Sequence, residues 1–149
     1  MKKIIASVLV ALSLASSVVA DSKVTSIGIA EDYGLGLSMQ FMKTLDLSVG
    51  HAGAGVDFIF YRYNFMPKSK FFSKRPMNFY VAGGGGYVWQ NFGGMSEGVI
   101  VRVPVGVNWE FHEKWVLHAS TAPALNFQKN KNNELTSTVI GTIGVRYLF

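Results

Sequence analysis

Residues 99–109 read VIVRVPVGVNW, and this stretch decides the fold class. All of its odd positions are apolar, from Val99 to Trp109. A helix would spread the valines around its whole surface, whereas a strand places them on one face. The stretch therefore predicts a β-strand with one apolar face and one face of mostly small or polar residues. The even positions carry Ile100, Arg102, Pro104, Gly106 and Asn108.

Seven further windows alternate with the same period of two. Residues 45–50, for example, separate three apolar residues from Asp46 and Ser48. One long linker, 65–77, interrupts the series, and no helical period is present. An even number of short antiparallel strands predicts an all-β fold, a closed eight-stranded up-and-down antiparallel barrel. The predicted strands cover residues 24–30, 34–42, 45–50, 55–64, 78–90, 99–109, 115–127 and 135–149.

The first twenty residues, MKKIIASVLVALSLASSVVA, have the form of a secretory signal peptide. Lys2 and Lys3 precede an apolar run that is shorter than the roughly 20 residues of a membrane-spanning helix. We expect cleavage after Ala20, which leaves one mature domain over 21–149; the alternative is a buried N-terminal helix. Loss of the two lysines lowers the formal net charge from +5 to +3.

The composition excludes several functional classes. The 149 residues are 49% hydrophobic and only 15% charged, which is not the composition of a disordered chain. The absence of cysteine excludes a disulfide scaffold and a thiolate metal site. No basic stripe interleaved with aromatics indicates nucleic-acid binding. The three histidines lack metal-ligand spacing, and Gly83–Gly86 lacks the residues of a phosphate loop, so we expect no metal and no cofactor.

The polar faces of the strands indicate which face points into the barrel and which points outward. They carry mostly Gly, Ser, Thr, Asn and Ala, whereas a surface facing water is rich in Lys and Glu. Small residues suit the narrow interior of eight strands, and a cation facing lipid at mid-depth costs about 2–4 kcal/mol. We therefore expect a transmembrane barrel with apolar residues outward. The expected interior charge network comprises Arg102, Arg146, Asp46, Asp57, Glu110 and His118, with Arg146 beside Asp46 and Arg102 beside Asp57.

Aromatic residues gather at both sets of strand ends, as in the two interfacial belts of membrane barrels. The alternative is the aromatic core of a soluble barrel. One predicted belt contains Phe41, Phe65, Phe79, Trp109, Phe111, Trp115, Tyr147 and Phe149, and the other contains Tyr33, Tyr87, Trp89, Phe92 and Phe127.

The last window, GTIGVRYLF over 141–149, ends on Phe149 with Tyr147 and Val145 at two-residue steps. It resembles the C-terminal assembly signal of bacterial outer-membrane barrels. The mature chain as a whole resembles small eight-stranded, OmpX-like barrels. VRVPVGVNWEF, APALNF and GVRYLF are similar to an uncharacterised subgroup of them. The resemblance implies a cell outer-membrane location, contact with outer-membrane lipids and lipopolysaccharide, and insertion by the barrel assembly machinery. It implies no activity.

Some features depart from the pattern. Pro104 and Pro123 lie inside predicted strands, where we expect local bulges. Arg62 shares the outward parity of Phe58 and Phe60, so it either snorkels at the rim or marks a slip of register. With both chain termini in the periplasm, the basic linker 65–77 lies on the periplasmic side. It is either a contact for anionic headgroups or a solvated turn.

These patterns favour a monomeric outer-membrane barrel with a structural, membrane-stabilising or surface-interaction role and no catalytic site. Two alternatives remain open. His118-Ala119-Ser120 resembles the His-x-Ser of the outer-membrane lipid A deacylases, with His118 as general base and Ser120 as nucleophile. Thr121, however, stands where that family has Asn. The other alternative is a narrow, porin-like channel.

Overall fold

The computed structural model describes residues 24–68, 75–128 and 134–149, and the expected signal peptide lies outside these ranges. The chain forms one antiparallel sheet in which each strand pairs with a neighbour, and the last strand pairs with the first to close a barrel. No helix within the described ranges has the length and apolarity needed to cross a membrane. The strands are β1 (Val24–Glu31), β2 (Leu35–Phe41), β3 (Leu45–Gly50), β4 (Gly53–Phe65), β5 (Met77–Val88), β6 (Gly98–Arg102), β7 (Val105–His112), β8 (Trp115–Gln128) and β9 (Leu135–Leu148).

Strands β6 and β7 occupy one strand position in the wall of the barrel, because both pair with β5 on one side and with β8 on the other. Each such strand position is called a stave. The barrel therefore has eight staves, which confirms the predicted number. Pro104 interrupts the sixth stave because a proline has no backbone N–H to donate.

The bulges expected at the two prolines are not formed. Ala82 N–H donates to Pro104 O at 2.8 Å, and Val103 N–H donates to Pro123 O at 3.1 Å. Neither proline can donate a hydrogen bond to the neighbouring strand, because proline has no backbone N–H. The strand register is the same before and after Pro104 on both neighbouring strands. The expectation was wrong because the strands give up one hydrogen bond at each proline instead of inserting a residue.

Strand β4 carries a bulge between Ile59 and Tyr61, where its register against β5 shifts. The extra residue reverses the parity, so Arg62 turns to the inside of the barrel. Its Nη2 donates to the backbone oxygen of Lys43 at 2.6 Å. Of the two alternatives for Arg62, the slip of register is the correct one.

The two ends of the barrel differ. The loop end carries the connections 32–34, 51–52 and 89–97, and the turn end carries 42–44 and 113–114 together with the described residues 66–68 and 75–76. At the turn end, a cavity of about 490 Å³ remains between the staves. At the loop end, apolar side chains fill the interior and form the apolar plug, which consists of Tyr33, Val88, Met95, Ile100, Ala122, Ala124 and Ile140.

The outer wall is apolar, and the charged residues of the central strands point inward. Val101 and Val103 are 49% and 45% exposed, whereas Arg102 between them is 3% exposed. This is the predicted sense of the alternation. Other exposed apolar residues on the outer wall are Ile29, Val56, Phe58, Val99, Leu125, Val139 and Ile143.

Most residues of the two predicted aromatic belts lie near the surface at the expected ends. Phe111, Trp115 and Phe149 are exposed at the turn end, and Tyr87 is exposed at the loop end. Tyr33 is the exception, because it is fully buried inside the barrel. Its assignment to a belt was wrong: the connection after β1 turns its side chain into the interior.

Candidate functional site: a buried charge network

Arg102 lies at the centre of a buried charge network. Its Nε and Nη2 donate to the carboxylate oxygens of Asp57 at 3.0 and 2.6 Å. Its Nη1 and Nη2 donate to the carboxylate oxygens of Asp32 at 2.5 and 2.8 Å. The guanidinium carbon lies 4.8 Å from the centre of the Tyr33 ring. One planar guanidinium thus binds two carboxylates in bidentate fashion and is also in cation–π range of an aromatic ring.

Asp32 is the partner that the sequence interpretation missed, because it lies between the predicted strands 24–30 and 34–42. It accepts hydrogen bonds from Ser48 Oγ at 2.6 Å and from Thr142 Oγ1 at 3.1 Å. Burial alone would raise the pKa of Asp32, but hydrogen bonds and charge from Arg102 hold it below its usual value. The available signal was parity, since Ser26 and Ala30 point inward and Asp32 follows Ala30 by two positions.

Tyr33 enters the barrel beside Asp32, and glycines on the wall make room for its ring. A Cβ at Gly55 would lie 2.5 Å from the Tyr33 hydroxyl oxygen, and one at Gly86 would lie 2.7 Å from it. Gly34, with φ +77°, turns the chain back toward β2 directly after Tyr33. Burial raises the pKa of the Tyr33 phenol above its usual value. The glycines of β4 and β5 therefore accommodate the plug.

Arg146 forms the second part of the network, nearer the turn end. Its Nη1 donates to Asp46 Oδ1 at 2.9 Å, and its Nε donates to Ser38 Oγ at 2.9 Å. Gln40 Nε2 also donates to Asp46 Oδ1, at 3.0 Å. Both ion pairs expected from the strand heights are thus present. Asp46 and Asp57 are direct cross-strand neighbours, so the two parts join into one network of three carboxylates and two guanidinium groups.

His118 lies beside this network but does not bond to it. It is 1% exposed, and neither ring nitrogen has a hydrogen-bond partner among the described residues. It borders a void of about 20 Å³ that also touches Ser120, Asp57 and both arginines. A void of that size holds about one water molecule. Ser120 is not hydrogen-bonded to His118, and no described carboxylate orients the imidazole.

Glu110 forms no ion pair with the network within the described ranges. It lines the turn-end cavity, which Arg146 also borders, at the far end of the barrel interior from the plug. Its side chain faces inward, and its membership of the charge network stays a prediction. Sequence alternation gives the direction of a side chain, whereas its partners depend on its height in the closed barrel.

The residues of the expected assembly signal lie on the outer wall of β9. Tyr147 packs edge-on against Trp115 at 5.3 Å and against Phe149 at 5.7 Å between ring centres. Val145 lies on the same face. The structure thus shows an aromatic cluster at the turn end, and the recognition of this segment by assembly machinery stays a prediction.

The described residues include no group of three His, Asp or Glu side chains that is suited to holding a metal ion. Gly83–Gly86 lies within β5, where the lack of a side chain at Gly84 leaves space for the Asp57 carboxylate. Comparison with protein-family models, with curated proteins and with solved structures gives no match for this chain. The function must therefore be inferred from the barrel itself.

Proposed function

We propose that this chain is a small outer-membrane β-barrel protein with a structural, membrane-stabilising or surface-interaction role. The observation that carries the proposal is the sense of the alternation, with exposed Val101 and Val103 on either side of the buried, ion-paired Arg102. A barrel in water would expose apolar side chains over its whole wall at a large cost, whereas acyl chains are a favourable surrounding for them. The exposed aromatics at both ends suit the two lipid–water interfaces.

The interior supports a structural role over transport or catalysis. Above the charge network, the apolar plug fills the loop end, and an apolar constriction of this kind disfavours a water-filled path. His118 and Ser120 face this interior and not the wall where a lipid substrate would lie. The ion pairs of Arg102 and Arg146 fix one arrangement of the staves, and this suits a rigid membrane protein.

The proposal is tested by expression of the full chain, membrane fractionation and electrophoresis in SDS with and without boiling. We expect the protein in the outer-membrane fraction, with a mobility that shifts on heating because the barrel resists cold SDS. Recovery as a periplasmic protein with no heat shift contradicts the proposal.

A pair of variants tests the sense of the wall directly. Val103 lies midway along its stave on the outer wall, and Val103→Arg should lower the stability of the inserted barrel by about 2–4 kcal/mol. Gln90→Arg, in an exposed connection at the loop end, should change it little. Equal effects of the two substitutions contradict a lipid-facing wall.

A further inference from the structure

The cavity at the turn end is not required by the role proposed above. Its volume of about 490 Å³ is unusual for eight staves, whose interior side chains normally fill the space. Cavities of 300–1,000 Å³ are typical of sites for small molecules. Ten of the fifteen residues that line it are polar or charged, whereas the plug at the other end is apolar.

Besides Arg146, which is ion-paired with Asp46, the charged residues that line the cavity are Lys43, Arg62 and Glu110. Arg62 on β4 and Lys43 in the β2–β3 turn lie on one side, whereas Glu110 on β7 lies on another, with β5 between β4 and β7. None of the three forms an ion pair with another residue in the described ranges. Arg62 donates instead to the backbone oxygen of Lys43. The cavity therefore presents two cations and one carboxylate that are free to bind a ligand with charges of both signs.

A row of asparagines crosses the wall between the two charged sides. Asn64, Asn78 and Asn108 are cross-strand neighbours on β4, β5 and β7, and all three line the cavity. Asn108 Nδ2 donates to Asn78 Oδ1 at 2.9 Å. Asn108 is only 5% exposed, yet its Oδ1 has no hydrogen-bond partner among the described residues. A buried acceptor without a partner is costly, which points to a donor supplied from the cavity.

We propose that the turn-end cavity binds a short peptide with free termini. The peptide carboxylate binds the Arg62 guanidinium and Lys43, and the peptide ammonium group binds Glu110. A backbone N–H of the peptide donates to Asn108 Oδ1, and the side-chain amides of the asparagine row match the alternating donors and acceptors of a peptide backbone. The proposal does not depend on the membrane assignment, because the cavity lies inside the barrel.

The test uses trialanine as the probe and the mature barrel folded in detergent micelles. Titration followed by the side-chain amide NMR signals should shift Asn78 and Asn108 and leave Asn126, which is buried at the loop end, unchanged. Blocking one terminus, by N-acetylation or by C-terminal amidation, should weaken binding about tenfold in each case, because one charge-assisted contact is lost.

Matched variants assign each terminus to its side of the cavity. Arg62→Gln should weaken binding of trialanine about tenfold but should not further weaken binding of its C-terminal amide. Glu110→Gln should likewise weaken binding of trialanine about tenfold but should not further weaken binding of the N-acetyl peptide. Lys68→Gln and Glu113→Gln remove exposed charges that do not line the cavity, and they should leave binding unchanged.

Two results overturn the proposal. One is the absence of any shift at Asn78 and Asn108 at millimolar trialanine, which means that the cavity holds only water. The other is equal binding of the free and the doubly blocked peptide, which means that the charges are not used. Because the blocked peptides probe the same contacts from the ligand side, the outcome does not depend on the folding of any variant.

Discussion

The loop end and the turn end of this barrel are built from the same strands, yet one end is filled and the other is hollow. At the loop end, Ile100 and Ile140 meet Tyr33 and Met95, which enter from the connections. At the turn end, the inward positions carry short polar residues such as Ser26 and Asn78. At both ends the alternation sets only the direction of each side chain, with a reversal at the β4 bulge near the turn end. The volume of the inward residues decides whether the interior closes.

The largest effect should come from the ion group that lies beneath the plug. Arg102→Ala leaves two buried carboxylates without a cation and should lower the free energy of unfolding by about 3–5 kcal/mol. Denaturant titration of the barrel in lipid vesicles measures the loss. Arg146→Ala leaves only one carboxylate, Asp46, and should cost less. A larger loss for Arg146→Ala contradicts the assignment of Arg102 as the centre.

The second test compares the inner and outer faces of one stave. Ile100 is fully buried in the plug, so Ile100→Ala creates a cavity and should cost about 3 kcal/mol. Its neighbour Val101 faces outward, and Val101→Ala should cost less than about 1 kcal/mol, because lipid or detergent chains can fill the space that is vacated. The same vesicle titration measures both. Equal losses would mean that the outer wall is packed like a core.

A third test uses one buried asparagine from each end. Asn126 Oδ1 accepts a hydrogen bond from Ser96 N–H at 2.9 Å, so Asn126→Leu leaves that donor without a partner and should cost about 1–3 kcal/mol. Asn108→Leu removes the unsatisfied Oδ1 and loses one neutral hydrogen bond, so it should cost less than about 1 kcal/mol. The reverse order would mean that the hollow end is the more tightly organised one.

The smallest effect is expected on the outside of the turn end. The Lys114 ammonium lies 5.6 Å from the centre of the Tyr147 ring, and Lys114→Gln should cost at most about 1 kcal/mol. Glu113→Gln, one residue earlier in the same turn, removes a charge without this contact. The temperature at which the electrophoretic mobility shifts is measured for both variants. The difference between them gives the contribution of the Lys114–Tyr147 contact to stability.

Sequence alternation was sufficient to predict the eight staves, the apolar outer wall and the inward direction of Arg102, Arg146 and His118. It could not place Tyr33, because the backbone of a connection, and not strand parity, sets the direction of that side chain. Asp32 continues the inward parity of β1, but it lies beyond the end of the predicted strand. Alternation also could not place the bulge before Arg62, since an extra residue changes parity without changing composition. The turn-end cavity could not be predicted from the sequence either, because its volume depends on the inward side chains of all the staves together.

The distribution of the interior contacts along the chain has a consequence for how the barrel forms. Asp32 meets Arg102 across 70 positions, Asp46 meets Arg146 across 100, and Asp32 meets Thr142 across 110. A chain with such a high contact order folds slowly, because loop-closure entropy is lost before distant contacts compensate it. The first hairpin contains Asp32 and Tyr33, and it can form before the strands that carry their interior partners have joined the barrel. The buried carboxylates therefore gain all their partners only after the last strand has paired. We expect a partly formed barrel to be unstable for that reason.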